Sequence, residues 1–353
     1  MGRLKDIILN PDLIPRSQGY YFPAEWTQHR ATWVTLPLND GSWPGMMNTV
    51  YDAFFRFIQI ISLSEIVAIN VQNEIMAAFV DDMLNNYRID PAKIELYLHP
   101  TNDCWARDHG PGFLKNKQGE KILLNWKFNA WGRKYAYDLD DLIPVRIGEA
   151  LQLPVIDVGI VMEGGAVEFN GAGSLLTTRS CLLNPNRNPH LSAIEIENYL
   201  MNYYGVEKVL WLEDGIAGDD TDGHIDDIAR FVKEDTVLAM IEKDKSDPNF
   251  QPLKTNRKLL SEFRLPGGKQ LNIIELPMPP PVCYNDERLP ASYANFYMTN
   301  GHVIVPVFQA DTDDTAIEII SRCFPTREVT GIDSRVLIHG LGSFHCLSQQ
   351  EPA

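Results

Sequence analysis

Glu163-Gly164-Gly165-Ala166-Val167-Glu168-Phe169-Asn170-Gly171-Ala172-Gly173-Ser174-Leu175-Leu176-Thr177 is the stretch from which the fold can be read. An acidic residue and two glycines open a loop. A strand-like run at 166–169 meets the dipeptide Asn170-Gly171, and a second run at 174–177 follows. Asn-Gly between such runs is the strongest short-range signal of a hairpin. Helical spacing over 192–204 and a buried-type strand over 209–212 complete a unit of loop, hairpin, helix and strand.

The unit recurs on both sides. Upstream, Asp103-Cys104-Trp105-Ala106-Arg107-Asp108 leads into runs at 112–114 and 122–124, then a helix over 142–151 and a strand over 155–158. Downstream, Asp222-Gly223-His224-Ile225-Asp226 precedes runs at 228–232 and 237–241. A further unit has a run at 295–298, the turn Asn300-Gly301, a run at 303–307 and a helix over 315–323. Its closing strand, with the apolar run Arg335-Val336-Leu337-Ile338, leads into Gly340-Leu341-Gly342-Ser343-Phe344-His345-Cys346. A degenerate first unit precedes them all, with strands at 32–36, 66–69 and 94–98 and helices over 50–62 and 73–87. The turn-rich patch Asn39-Asp40-Gly41-Ser42-Trp43-Pro44-Gly45 lies within it.

About five repeats of this kind, packed on neighbours around an axis, bring their loops to one shared centre. The fold class expected is therefore α/β with pseudo-fivefold ββαβ repeats. A doubly wound sheet explains the helices but not the repeated Asn-Gly hairpins. The Pro-rich segment 10–23 reads as surface-laid, 242–268 as a surface insertion, and Pro277-Met278-Pro279-Pro280-Pro281 as a loop within one catalytic domain spanning 1–353.

Composition narrows the function. With 353 residues, 44% hydrophobic and 22% charged, the chain reads as soluble and globular, with no apolar run long enough to span a membrane. The first residues lack the apolar core of a secretory signal, so the expected location is cytoplasmic. Five cysteines (104, 181, 283, 323 and 346), odd in number and with no CxxC pair, argue against a disulfide framework or a zinc cage. A formal net charge of −16 repels nucleic acid and anionic membrane and attracts a small cation.

Four loops offer a chemically useful residue at the same place relative to a hairpin: Asp108, Glu163, His224 with Asp226, and Cys346. Taken singly, each has an ordinary structural reading, as an ion-pair partner, a turn cap, a core histidine and a packed thiol. Taken together they assemble a thiol–imidazole pair, sufficient for covalent catalysis at an electrophilic carbon. Glu163 is placed to orient the imidazole. Asp108 and Asp226 remain as two carboxylates that repel each other unless a cation sits between them. A guanidinium suits that place, because its planar fork offers paired donors along each edge. Metal is the rival occupant. Asp219-Asp220-Thr221-Asp222-Gly223 resembles a calcium loop, yet the first ligand position falls on Gly218 and the twelfth on Ala229. No HExxH or His cluster is present, so neither metal nor cofactor is expected.

Several motifs carry a family resemblance. They include Phe22-Pro23-Ala24-Glu25-Trp26, Trp105-Ala106-Arg107-Asp108-His109-Gly110-Pro111, Phe128-Asn129-Ala130-Trp131-Gly132 and Glu163-Gly164-Gly165. Leu182-Leu183-Asn184-Pro185-Asn186-Arg187-Asn188-Pro189, Gly223-His224-Ile225-Asp226, Ser292-Tyr293-Ala294-Asn295-Phe296-Tyr297 and His345-Cys346-Leu347-Ser348-Gln349-Gln350 extend the match. In this order, over nearly the whole chain, they resemble the agmatine deiminase family, which also takes in porphyromonad-type peptidylarginine deiminases.

The resemblance implies the five-bladed α/β propeller, or pentein, fold. It implies Cys346 as nucleophile, His224 as general acid and base, Glu163 supporting His224, and Asp108 and Asp226 on the guanidinium. Trp105 and Trp131 would wall the pocket, with packing in the core as the plain alternative for either. Asp219, Asp220 and Asp222 would favour an amine tail through their field, and Asp220 is the residue assigned to substrate binding. The reaction implied is hydrolysis of agmatine to N-carbamoylputrescine and ammonia through a thiouronium on Cys346. The partner is a small cationic guanidino substrate, and a homodimer is left open.

Arginine or peptidylarginine deimination, a thiol hydrolase or amidinotransferase, and a non-catalytic guanidino-compound binding protein stand as alternatives. The chain departs from the family pattern at the glycine-rich turn before Cys346, at His109, at Arg133 and at Asp227, positions that could border the pocket.

Overall fold

The computed structural model describes residues 13–353. The opening residues used for the location reading, and the start of the 10–23 segment, lie outside the described residues. Among the described residues no helix is long and apolar enough to cross a membrane.

Strands are distributed over five sheets and one two-stranded hairpin, not over a single wound sheet. Four sheets follow one plan: an antiparallel pair whose second strand is joined in parallel, through a helix, to a third. The sheet opened by Glu168–Phe169 shows it. Glu168 pairs with Leu176 and Phe169 with Leu175, and Ser174–Thr178 then runs parallel to Lys208–Leu212. The connecting helix Ala193–Tyr204 starts on a capping box, with Ser192 accepting from the Glu195 amide and the Glu195 side chain reaching back. The Asn-Gly signal is geometrically different from a two-residue turn. Asn170 Oδ1 accepts from the Ala172 and Ser174 amides at 2.9 Å each and closes a three-residue loop in which Gly171 and Gly173 have φ of 66° and 85°.

The fifth sheet joins the two ends of the chain. His29–Thr35 pairs in parallel with Ile66–Val71 and antiparallel with Ser348–Pro352, which directly follows Cys346. Its helix Met47–Ser62 buries Val50, Phe54, Phe57, Ile58 and Ile61, the stripe expected from helical spacing.

Two expectations need correction. Residues 242–268 are not a surface insertion. They contain the helix Phe250–Glu262, which buries Leu253, Asn256 and Leu260 and leads to the strand Asn272–Pro277, completing the unit opened by Ala229–Lys233. The closing strand of the last unit is Glu328–Asp333, parallel to His302–Val307. The apolar run at 335–338 leads instead into the 3₁₀ turn Leu337–Gly340, whose Leu337 and Ile338 are buried.

Buried polar groups lock the centre. Arg230, fully buried, pairs with Glu168 at 3.0 Å and Glu25 at 2.9 Å and donates to the Ala294 and Phe296 carbonyls. Glu25 also accepts from His345 Nε2 at 2.8 Å. One guanidinium thereby ties loops from three parts of the chain, and removing either charge would strand the other.

Candidate active site

In each of the five sheets the loop just ahead of the first antiparallel strand delivers a functional side chain. Asp108 lies on the short helix Ala106–His109 before Gly112–Lys115, and Glu163 immediately precedes the turn Gly164–Ala166 before Glu168–Phe169. His224 and Asp226 precede Ala229–Lys233, Asn295 precedes Tyr297–Met298, and Cys346 precedes Ser348–Pro352.

The glycine-rich turn works through close approach. A Cβ on Gly340 would lie 2.5 Å from the Trp43 ring, and one on Gly342 would lie 2.4 Å from the Trp105 ring. The left-handed residue of the turn is Leu341, with φ of 72°, a strained placement set between the two glycines that abut the tryptophans.

Cys346 Sγ stands 3.7 Å from Asp226 Oδ2 and accepts from Asn295 Nδ2 at 3.0 Å. The Asn295 carbonyl oxygen in turn accepts from the His345 and Cys346 amides at 3.1 and 3.3 Å. Burial pushes the Cys346 thiol well up from its ordinary range, and Asp226, Asp227 and Asp108 push it further.

His224 is buried, with Nδ1 3.7 Å from Asp108 Oδ1 and Nε2 4.0 Å from Glu163 Oε2, both too long for hydrogen bonds. Burial opposes its charging, but Asp108, the Cys181 sulfur and Asp226 outweigh burial and raise it well above the usual imidazole range. The loop's acids have structural duties here. Asp219 accepts from the Thr221, Gly223 and His224 amides and so fixes the backbone that presents the ring.

Asp108 Oδ1 accepts from the Gly165 amide at 2.9 Å and Oδ2 from Trp131 Nε1 at 3.0 Å. Burial raises its carboxyl, with Asp226 and Glu163 adding to this against His224. Asp226 Oδ2 takes His345 Nδ1 at 2.7 Å, whereas its buried Oδ1 has no hydrogen-bond partner among the described residues. Burial would raise Asp226, yet the His345 hydrogen bond and charge hold it below the usual carboxylate range.

Cys346 and Asp108 line a cavity of about 450 Å³ whose walls include Trp105, Trp131, Tyr135 and Leu341. Asn39, Ser42 and Pro44, from the turn-rich patch, form part of its rim. Trp105 and Trp131 are therefore both cavity wall and core, at 5% and 8% exposure. The loop carrying Trp131 is strained, with positive φ at Ala130, Trp131, Gly132 and Arg133. Asp220 lines the cavity, but its carboxylate already accepts from Tyr135 at 2.8 Å and pairs with Lys134 at 3.1 Å. Asp222 is taken up by Arg187 and by Asn186 Nδ2 at 2.9 Å.

The departures from the family pattern separate here. Asp227 accepts from Asn295 Nδ2 at 2.9 Å beside the sulfur, and burial with Asp226 and Asp219 pushes its carboxyl well up. His109 is packed against Phe128, and burial pushes it down to about 3. Arg133 faces a separate cleft with Asn186 and Arg187.

Sequence reasoning missed four contributors. Asn295 occupies the fifth loop, which the repeat symmetry required to be filled. Arg187 holds Glu163 Oε1 at 2.7 Å, His345 bridges Asp226 and Glu25, and Cys181 faces the imidazole.

Residues 21–352 match the Porphyromonas-type peptidyl-arginine deiminase family. A Legionella pneumophila (strain Philadelphia 1) relative, named provisionally as an agmatine deiminase, is 36% identical over 349 residues, covering 98% of each chain. A structure described as the agmatine deiminase of Enterococcus faecalis catalysing its reaction is 31% identical with a TM-score of 0.89, covering 96% of this chain and 97% of the other. A serine-for-cysteine variant of the C. jejuni agmatine deiminase, with substrate bound, is 30% identical with a TM-score of 0.86, covering 95% of this chain and 96% of the other.

Proposed function

The chain belongs to the Porphyromonas-type peptidyl-arginine deiminase family, and from that premise and the site geometry we propose that it is an agmatine deiminase. The observation that carries the proposal is Asp226, whose Oδ2 stands 3.7 Å from Cys346 Sγ and whose buried Oδ1 has no hydrogen-bond partner among the described residues, within electrostatic reach of Asp108 and His224. A guanidinium supplies paired donors to both carboxylates and brings its central carbon to the sulfur.

The Cys346 thiol releases its proton to solvent as the cation binds, the thiolate attacks that carbon, and protonated His224 donates a proton so that one nitrogen leaves as ammonia and a thiouronium remains. His224 then takes a proton from water, the resulting hydroxide adds to the same carbon, and the C–S bond breaks to give N-carbamoylputrescine and the thiol. Glu163, anchored by Arg187, sets the imidazole, and Asn295 donates to the sulfur as it ionises. Burial, and after it the surrounding carboxylates, raise the free thiol, and a bound cation offsets the carboxylates' share and so promotes thiolate formation.

Preference for agmatine over arginine follows from the cavity lining. Among the described residues it is lined by Asp103, Asp108 and Asp220 and by no arginine or lysine, so an α-carboxylate meets like charge there. The same reading arranges the five sheets as five blades of a pentein propeller in one domain, supported by the pairing of the first strand with the last. Ammonia release from agmatine, arginine and a peptidylarginine tests the assignment, with Cys346→Ala as control. We expect agmatine to have the highest kcat/KM and the variant to lose at least about 10⁴-fold; arginine preference, or turnover by Cys346→Ala, overturns it.

A further inference from the structure

Next to Glu163 and His224 stands a buried thiol, Cys181, that the reaction does not use. Ligand atoms of Glu163, Cys181 and His224, all buried, lie within 4.8 Å of one another. Glu163 Oε2 and the His224 ring nitrogens have no hydrogen-bond partner among the described residues. We propose that this is an inhibitory site for a zinc-like divalent cation, which captures His224 and so silences the acid–base group.

Carboxylate, thiolate and imidazole are the donor types that zinc takes in tetrahedral sites. With bonds of about 2.0–2.3 Å, such ligands sit roughly 3.5 Å apart, so the side chains close by up to about 1.3 Å. The outer shell is already built. Arg187 holds Glu163 by Oε1 at 2.7 Å, leaving Oε2 free, and Asp108 Oδ1 stands 3.7 Å from His224 Nδ1 while Nε2 faces Glu163. The Arg187 guanidinium, 4.0 Å from Cys181 Sγ, would repel a cation, but it is shared between Glu163 and Asp222. On binding, Cys181 gives its thiol proton and His224 one ring proton to solvent, and each keeps its electron pair in the bond to the metal. The route assigned to the ion is the substrate cavity, whose lining residue Asp108 stands 3.7 Å from His224.

The inhibitory consequence rests on the role of His224 proposed above; the binding does not. The test uses the full-length Cys346→Ala protein titrated with Co²⁺. A thiolate-to-cobalt charge-transfer band with tetrahedral d–d bands is expected, and both should vanish when Cys181→Ala or Cys181→Ser is added. In the unmutated enzyme, zinc should suppress turnover reversibly to chelator, with at least tenfold loss of zinc sensitivity in Cys181→Ser relative to its own metal-free rate. Bands absent from Cys346→Ala, or persisting without Cys181, overturn the site. Bands present with turnover untouched by zinc would retain the site and reject His224 as the acid.

Discussion

Gly165→Ala isolates the geometry on which the chemistry depends. The backbone at Gly165 is not left-handed, so alanine brings no conformational strain. Its methyl carbon, however, would lie 2.5 Å from His224 Nδ1 and 2.8 Å from Asp108 Oδ1. An ordinary contact is about 3.5 Å, so the imidazole must retreat by roughly 1 Å and the carboxylate by roughly 0.7 Å. Misplacement of about 1 Å costs on the order of 10²-fold in rate. We therefore expect kcat/KM for agmatine to fall about 10²-fold, mostly in kcat, with Tm within a few degrees of the parent. Gly164→Ala is the contrasting control. Its Cβ would lie 2.1 Å from the Arg107 carbonyl oxygen, a backbone atom that cannot swing aside, so it should destabilise the fold as well. Steady-state ammonia release with thermal melts on both variants decides. Undiminished activity in Gly165→Ala would refute the claim that His224 and Asp108 act from these positions.

Other perturbations read other parts of the site. Glu25→Gln removes the charge facing Arg230 and His345, and should cost about 3–5 kcal/mol, or roughly 4–7 °C in Tm at neutral pH. Interaction with Arg230 and His345 outweighs burial and holds the Glu25 carboxyl below its ordinary 4.5, so its stabilisation is complete above that value and lost as pH falls. The gap between parent and variant in pH-dependent melts should accordingly narrow in acid, and a constant gap would show that the charge is not the cause. Iodoacetamide trapping of Cys346, measured against Cys346→Ala to subtract the exposed Cys283, should be slow at pH 7–8 and accelerate only in alkali. Rapid trapping at neutral pH would contradict substrate-assisted ionisation. Product inhibition by N-carbamoylputrescine should be weak, with Ki at least about tenfold above KM, because its ureido end has lost the charge that both carboxylates hold.

Much of the site was legible because each loop places its residue shortly before a strand, so Asp108, Glu163, His224, Asp226 and Cys346 all fall in the loop that opens a hairpin or closing strand. Asn295 shares it too, yet an amide at the head of a hairpin looks like turn chemistry, and only its contact with the sulfur distinguishes it. Arg187 and Cys181 come from the segment after Ser174–Thr178, outside the repeat's loop position, so no periodicity marks them. The misread helix Phe250–Glu262 buries only Leu253, Asn256 and Leu260, a stripe too thin to stand out among its charged residues. The run at 335–338 failed in the opposite direction. Leucine and isoleucine there serve a buried turn, and apolarity alone does not separate a turn from a strand.

The arrangement of charge explains why a flat cation is taken and a neutral group released. Asp226 is held anionic by His345 on Oδ2, and its buried Oδ1 has no hydrogen-bond partner among the described residues. Asp108 has one donor on each oxygen, and a carboxylate oxygen can accept a second. Arg187 is committed to Glu163 and Asp222, so it does not neutralise these two acids. A guanidinium between them relieves their repulsion and simultaneously offsets the carboxylates that keep Cys346 protonated. Binding and activation are thus one electrostatic event. When water replaces ammonia the carbon centre becomes an uncharged urea, the repulsion between Asp108 and Asp226 returns, and the thiol regains its proton. On the proposed mechanism, the acids that keep the empty enzyme's thiol protonated are therefore the ones that promote turnover.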